Sequence, residues 1–282
     1  MTPDNLNETT TSENIAITVS VEKLRKDLRA GAKLMGKSEA RYFVNAYYDL
    51  QDYRIASANQ QRKLLEGEKP SDYMQWLNLN VGIIEANIKF MLDKWSAAQP
   101  MGEWAREITG IGPVIASGLI ANIDIEKAAT VGHIWRFAGL DPTLKWGKNE
   151  RRPWNASLKR LCWLMGESFV KVSGNEKDIY GKFYLKRKAY EMERNERFGN
   201  AAEAKRRCEE DDKKPKHKKL DKDLRAILET GKLPQIAMHE RAKRWAVKLF
   251  LAHWFEQAYR QHYKTEPPAP YPIAHLGHVH KI

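Results

Sequence analysis

Apolar residues in this chain recur at helical spacing, which predicts an all-α protein. The clearest pattern is Met74, Leu77, Val81, Ile84, Ile88, Met91 and Trp95, at alternating steps of three and four. It is a heptad seam on a long helix beginning near Ser71. A partner helix begins after the cap candidate Ser38, with Glu39 in its first turn, and runs to about Glu66, with a turn at 67–70. Residues 38–98 are therefore expected to form a long antiparallel, coiled-coil-like helical hairpin. One hairpin covers its seam only in part. Either a second copy completes it, giving a homodimer, or the hairpin packs on its own C-terminal helices.

The other segments fall around that hairpin. Residues 1–37 form a flexible N-terminal segment, rich in Thr, Asn and Glu over 1–19, with a short helix expected over Val21–Arg29. Pro100 and Gly102 end the hairpin and open a helical domain over 99–263. Within it, Ile134, Phe137 and Ala138 share a helical face ending at the cap Gly139. A helix capped by Asn155 or Ser157 carries the core run Leu158, Leu161, Cys162, Leu164, Met165 and Phe169. Residues 177–197 form a helix bearing Tyr180, Phe183, Tyr184 and Tyr190, and the charged run 201–219 reads as solvated and mobile. The closing helix spans about 235–263, with Met238, Ala242, Trp245, Leu249 and Ala252 as its core face. Arg241, Arg244 and Lys248 make a basic stripe on it, either solvent-facing or a second phosphate contact. In the Pro- and His-rich tail over 264–282, His275, His278 and His280 lack Cys or carboxylate partners, so no metal site is expected.

Charge narrows the function. The 282 residues carry a net charge of +12 and a pI near 9.5, which points to a polyanionic partner. Cys162 and Cys208 make neither a disulfide framework nor a metal-binding pair, and Cys162, between Leu161 and Trp163, reads as a core residue. No apolar window is long enough to cross a membrane, and the polar start lacks a signal core, so a cytoplasmic protein is expected. No cofactor is implied.

Two stretches fit a polyanion. Ile108 to Ile120 reads as a helix end, a tight turn at Thr109-Gly110-Ile111-Gly112 and a second helix opened by Pro113, the signature of a helix-hairpin-helix. The two glycines permit positive φ, and Pro113 suits a first helical turn. The turn then offers backbone N–H groups at the positive end of a helix, an anion site suited to a backbone phosphate. The plainer alternative is a Gly-Pro turn between core helices. Small Ala116 and Ser117 let those helices pack closely.

The second stretch, 141–154, interleaves Lys145, Lys148, Arg151 and Arg152 with Trp146 and Trp154 in a loop punctuated by Gly147 and Pro153. Cations beside indoles suit phosphate contact plus stacking, unless the tryptophans are tucked into the core. Lys159 and Arg160 extend this basic surface. His133 reads as a packed or hydrogen-bonded residue.

These motifs resemble the C-terminal domain of the bridge-RNA-guided insertion-sequence transposases. The resemblance covers about 38–263 and is most specific over 108–142, where Ile-Thr-Gly-Ile-Gly-Pro is followed by Trp-Arg-Phe-Ala-Gly-Leu-Asp-Pro. It implies a coiled coil, nucleic-acid handling and oligomerisation. It does not carry the chemistry: that family's RuvC-like domain supplies four metal-binding carboxylates, and 37 mostly polar residues cannot hold one. Its nucleophilic serine falls here at Lys145 or Trp146, before Gly147. No catalytic or metal-binding residue is therefore assigned. The expectation is a non-catalytic protein that binds DNA, including branched DNA, in recombination, replication or packaging of a phage or mobile element. The alternatives are an active recombinase built on Asp124, Glu126, Asp141 and Glu150, and a module for structured RNA.

Overall fold

The structure, a computed structural model, describes residues 30–65 and 72–268. Among these residues there are ten α-helices and no strand. The expected Val21–Arg29 helix, the 67–70 turn and the tail histidines lie outside the described residues.

α1 (Lys37–Leu65) and α2 (Asp72–Ala97) run antiparallel as the hairpin. At 29 residues, α1 is about 44 Å long. Ser38 lies inside α1 rather than capping it, and its hydroxyl accepts from Arg41 Nη2 at 2.8 Å. The buried seam on α2 differs from the apolar heptad in the sequence. Val81, Glu85, Ile88, Leu92 and Trp95 are buried, whereas Leu77 and Ile84 are exposed and Met74 and Met91 half-buried. The register turns on Glu85, which hydropathy alone passes over. Arg54 donates to it through Nε at 2.5 Å and Nη2 at 3.2 Å, and Gln51 through Nε2 at 3.4 Å, so a compensated carboxylate occupies a seam position.

The base of the hairpin packs on its own chain. α3 (Gly102–Glu107) leads through a turn to α4 (Pro113–Asn122), which lies against α1, α2, α3 and α6. Seven of the ten α4 residues are buried, among them Ala116, Ser117 and Gly118. Ser117 Oγ donates to the Leu92 carbonyl of α2 at 3.0 Å, and Gly118 gives its space to Leu161 of α6 and Val44 of α1, which a Cβ would meet at 2.6 and 3.3 Å. Trp95 Nε1 donates to the Met35 carbonyl at 2.8 Å, tying α2 to the segment before α1.

α5 (Val131–Phe137), α6 (Ala156–Val172) and α7 (Tyr180–Glu196) surround α10 (Gln235–Tyr263). Asn155 caps α6, its Oδ1 accepting from the Leu158 amide at 2.9 Å. On α5, Ile134 is buried but Phe137 is 44% exposed, so Phe137 belongs to the surface and not to the core face. α10 buries more of its circumference than one amphipathic stripe allows. Lys243, Ala246, Val247, Phe250, Leu251, Trp254 and Phe255 are buried, and the expected Trp245, Leu249 and Ala252 are half-buried. Phe250 packs against Phe169, Tyr180 and Trp104 at centroid distances of 5.7, 5.2 and 6.0 Å.

The charged run after 200 is not a solvated coil. It forms α8 (Ala201–Asp212), which packs with α9 (Lys222–Glu229) over a small apolar cluster of Ala204, Leu228, Leu233 and Met238. Its charges pair at four-residue spacing, Arg207 with Glu203 and Arg206 with Glu210, while Arg225 of α9 reaches Asp212 at 2.8 Å.

Gly102 sets how sharply the chain leaves the hairpin. A Cβ there would lie 1.6 Å from the Ser96 carbonyl oxygen, a backbone atom that cannot rotate away. Gly102→Ala is expected to cost about 3 kcal/mol and lower Tm by roughly 6–12 °C in thermal unfolding. An unchanged Tm would show that this corner tolerates a side chain.

Candidate nucleic-acid interface

The turn between α3 and α4 divides its work between folding and exposure. Gly110 has φ +95°, and a Cβ there would meet Val172, Phe169 and Ser168 at 3.2–3.4 Å. Its carbonyl accepts from Ser168 Oγ at 2.6 Å. Thr109 Oγ1 donates to the Lys177 carbonyl at 3.4 Å. Ile111 is 4% exposed and its amide donates to the Ile108 carbonyl at 2.9 Å, so neither its side chain nor its N–H is open to a ligand. Gly112 differs from the expectation of positive φ. It is extended at φ −83°, ψ 175°, exposed, and nothing lies within 4 Å of a Cβ built on it.

With Pro113, Gly112 opens onto a hollow of about 270 Å³ whose walls include Tyr47, Tyr48 and Gln51 of α1. The exposed Lys89 and Lys171 stand at its rim with no carboxylate partner among the described residues. The N-terminal amides of α4, which have no partner within the helix, head this hollow.

The 141–155 loop is held shut at its base. Gly139, at φ +67°, ends α5, and the Asn155 amide returns to the Phe137 carbonyl at 2.9 Å. Inside the loop, Trp146 Nε1 donates to the Glu150 carbonyl at 2.8 Å and the Gly147 amide to Glu150 Oε2 at 2.8 Å. Trp146 and Trp154 meet edge to face with centroids 6.1 Å apart. Trp146 is 47% exposed, so it is not a core residue. Arg152 lies over Trp146 at 4.8 Å and Lys159 over Trp154 at 4.2 Å. Lys145, Lys148, Arg151 and Arg152 are all exposed, and no ion pair engages them among the described residues.

Arg160 is different. Its guanidinium reaches Asp49 at 3.2 Å and Asp52 at 2.7 Å on α1, so it ties α6 to the hairpin rather than extending the open basic surface. The stripe on α10 also divides. Arg241 is held by Asn200 Oδ1 at 2.7 Å, by Glu203 and by Glu191, which makes it an internal cation. Lys248 lies over the Trp135 ring at 4.1 Å; burial pulls its ammonium below the usual lysine range, with Asp141 opposing that shift. Arg244 is exposed and unpaired among the described residues. These three share a groove of about 600 Å³ with Arg187 and Arg194 of α7, which the sequence reading missed because they sit on another helix. Leu140 and Pro142, at the start of the basic loop, line the same groove.

The basic loop and this groove are thus neighbours. The glycine turn is not beside them. The loop enters α6 at Ala156, whereas Gly110 touches α6 at 168–172, a separation of roughly 20 Å along the helix.

The carboxylates near the basic loop do not converge. Asp124 accepts from the Glu126 amide, Glu126 faces His262 at 3.5 Å, Thr143 holds Asp141 below the usual carboxylate range, and Glu150 closes its own loop. Among the described residues, one group has metal-ligand spacing: Glu167, His239 and Glu240. Its centre is taken by the buried Lys243 ammonium, 2.5 Å from Glu167 and 2.6 Å from Glu240. Burial works against that charge and the two carboxylate hydrogen bonds outweigh it, holding Lys243 above the usual lysine range. His239 is engaged by the Tyr184 hydroxyl at 2.8 Å. Burial also pushes the Cys162 thiol up to about 12, so it is not a nucleophile near neutral pH.

The two glycines separate folding from binding. Gly110→Leu is expected to destabilise the fold by about 2 kcal/mol, since it forces a side chain into positive φ against α6. Gly112→Leu keeps the wild-type Tm and weakens anion binding at the hollow, measured by phosphate titration followed by amide chemical shifts. A Gly112→Leu protein with unchanged phosphate response would remove the turn from the interface.

No protein-family model, no curated protein and no solved structure matches this chain.

Proposed function

We propose that this chain is a non-catalytic DNA-binding protein that grips the sugar–phosphate backbone, serving recombination, replication or packaging in a phage or mobile element. The observation that carries the reading is the loop at 141–155, where four exposed cations stand without carboxylate partners among the described residues, on a scaffold braced by two tryptophans. The adjoining groove adds Arg244 and Arg194, while Arg187 on its wall is held by Glu191 at 2.5 Å. The helix-hairpin-helix turn supplies a second, distant phosphate grip, and roughly 20 Å corresponds to about six phosphate steps of one strand. The resemblance to the helical domain of the bridge-RNA-guided transposases supports the same reading, and the dispersed carboxylates favour it over an active recombinase.

The test is duplex binding by fluorescence anisotropy over a salt series, with junction DNA and structured RNA as competitors. Replacing Lys145, Lys148, Arg151 and Arg152 together by Ala is expected to reduce the slope of log K against log salt by roughly three to four. Equal slope and affinity in that variant would overturn the reading, and stronger competition by structured RNA would replace DNA as the partner.

The protein acts as a homodimer through the hairpin in this proposal. Tyr73, Trp76, Leu77 and Ile84 lie at helical spacing on the outer half of α2 and remain exposed after the chain has covered the hairpin base. Sedimentation equilibrium is expected to give a dimer for the wild type and a monomer for Leu77→Glu/Ile84→Glu. A wild-type monomer would refute the dimer and leave DNA binding to be judged separately.

A further inference from the structure

A cleft of about 480 Å³ opens between the start of α1, the end of α4 and α5. Its size suits a small ligand rather than a long polymer groove. The floor is apolar, formed by Ala121, Ile123, Ala128 and Ile134. Its rim carries Lys37, Arg41, Lys127 and Arg136 against one carboxylate, Asp124. Asp124 pairs with Lys127 at 3.4 Å; Lys37, Arg41 and Arg136 form no ion pair among the described residues, although outside the cleft Thr143, helped by the charge of Arg136, holds the Asp141 carboxyl down.

Arg41 is fixed in place. Its Nη1 donates to the Ala121 carbonyl at 2.7 Å and its Nη2 to Ser38 Oγ at 2.8 Å, so the charge is oriented without being neutralised. Phe137 stands at the wall, 44% exposed. Asn122 also lines the cleft. Its Nδ2 donates to the Gly118 carbonyl at 2.8 Å, while its Oδ1 is buried and accepts no hydrogen bond.

An apolar floor, an aromatic wall and three cations that form no ion pair among the described residues together suit a ligand with a flat ring and a phosphate. We propose that this cleft binds a single unpaired nucleotide. Its base stacks on Phe137 over the apolar floor, and its phosphate meets Arg41, Lys37 and Arg136. The nucleotide is either free or an extrahelical residue of a bound strand. The second source rests on the DNA-binding reading, because Pro153 and Asn155, at the end of the basic loop, form one wall of the cleft. A protein built this way favours DNA with an unpaired base over fully paired duplex.

The experiment uses the full chain and two arms. In the first, deoxyadenosine monophosphate, deoxyribose phosphate and inorganic phosphate are titrated by calorimetry. In the second, anisotropy compares a paired duplex, the same duplex with one unpaired adenine, and a duplex with an abasic bulge. The expected result is a preference of roughly fivefold or more for the base-containing ligand in at least one arm. Phe137→Ala abolishes that preference, and Phe137 is exposed enough for the variant to keep the wild-type Tm; Arg136→Ala lowers affinity for base-containing and base-free ligands alike. Nucleotide binding without duplex binding would retain the cleft and reject the DNA reading. Equal affinity with and without the base in both arms, or a preference untouched by Phe137→Ala, would overturn the proposal.

Discussion

The close approach of α4 to α2 is the contact on which the rest of the molecule depends. The small Ser117 brings its hydroxyl to a carbonyl of the neighbouring helix, while Gly118 on the same helix makes room for Leu161 of α6 and Val44 of α1. That hydroxyl is fully buried, and an unmade bond there would carry the full cost of desolvation. The contact fixes the base of the hairpin to the helical domain, while the outer parts of α1 and α2 project beyond it. It also fixes where α4 begins, and therefore where Gly112 and the hollow beneath it lie.

Electrostatics divides the cations into two populations. Arg54, Arg160, Arg241 and Lys243 are held by carboxylates that fold the chain, and three of the four anchor helices distant in sequence. Lys145, Lys148, Arg151, Arg152 and Arg244 have no such partner among the described residues. The first population is screened within the fold, and the second projects its field into solvent, where it can act on a polyanion within about one Debye length.

Much of this architecture is legible in the sequence because it is local. The hairpin, the α5 cap at Gly139, the Asn155 cap and the extent of α10 follow from periodicity and capping chemistry within a few residues. What failed was long-range. Glu85 takes a seam position because Arg54, thirty-one residues away, compensates it, and no hydropathy window contains that pairing. Arg160 looks like part of the basic loop until Asp49 and Asp52 claim it from another helix. The run 201–219 looks mobile because its charges are blocky, yet an α-helix converts that blockiness into four-residue ion pairs. The groove beside α10 is built from three helices, and only one of them showed a stripe in its own sequence.

The braced loop shows how a surface can be both ordered and open. A flexible cationic loop loses side-chain and backbone freedom when it meets a ligand, and that loss subtracts from affinity. Here most of the ordering is already present: the base is pinned through Phe137 and Asn155, the tip through Glu150, and the tryptophans through their mutual edge contact. Stacking over Trp146 does not consume the donors of Arg152, because a guanidinium binds a ring through its face and a phosphate through its edge. Lys159 offers a less directional version of the same arrangement above Trp154. The loop's two acids are both engaged within it: Asp141 accepts from the Thr143 amide and hydroxyl at its start, and the Glu150 carboxylate accepts from the Gly147 amide near its tip. Glu150 therefore acts as a brace for the cations around it, and the loop meets solvent with its charge of one sign largely uncompensated.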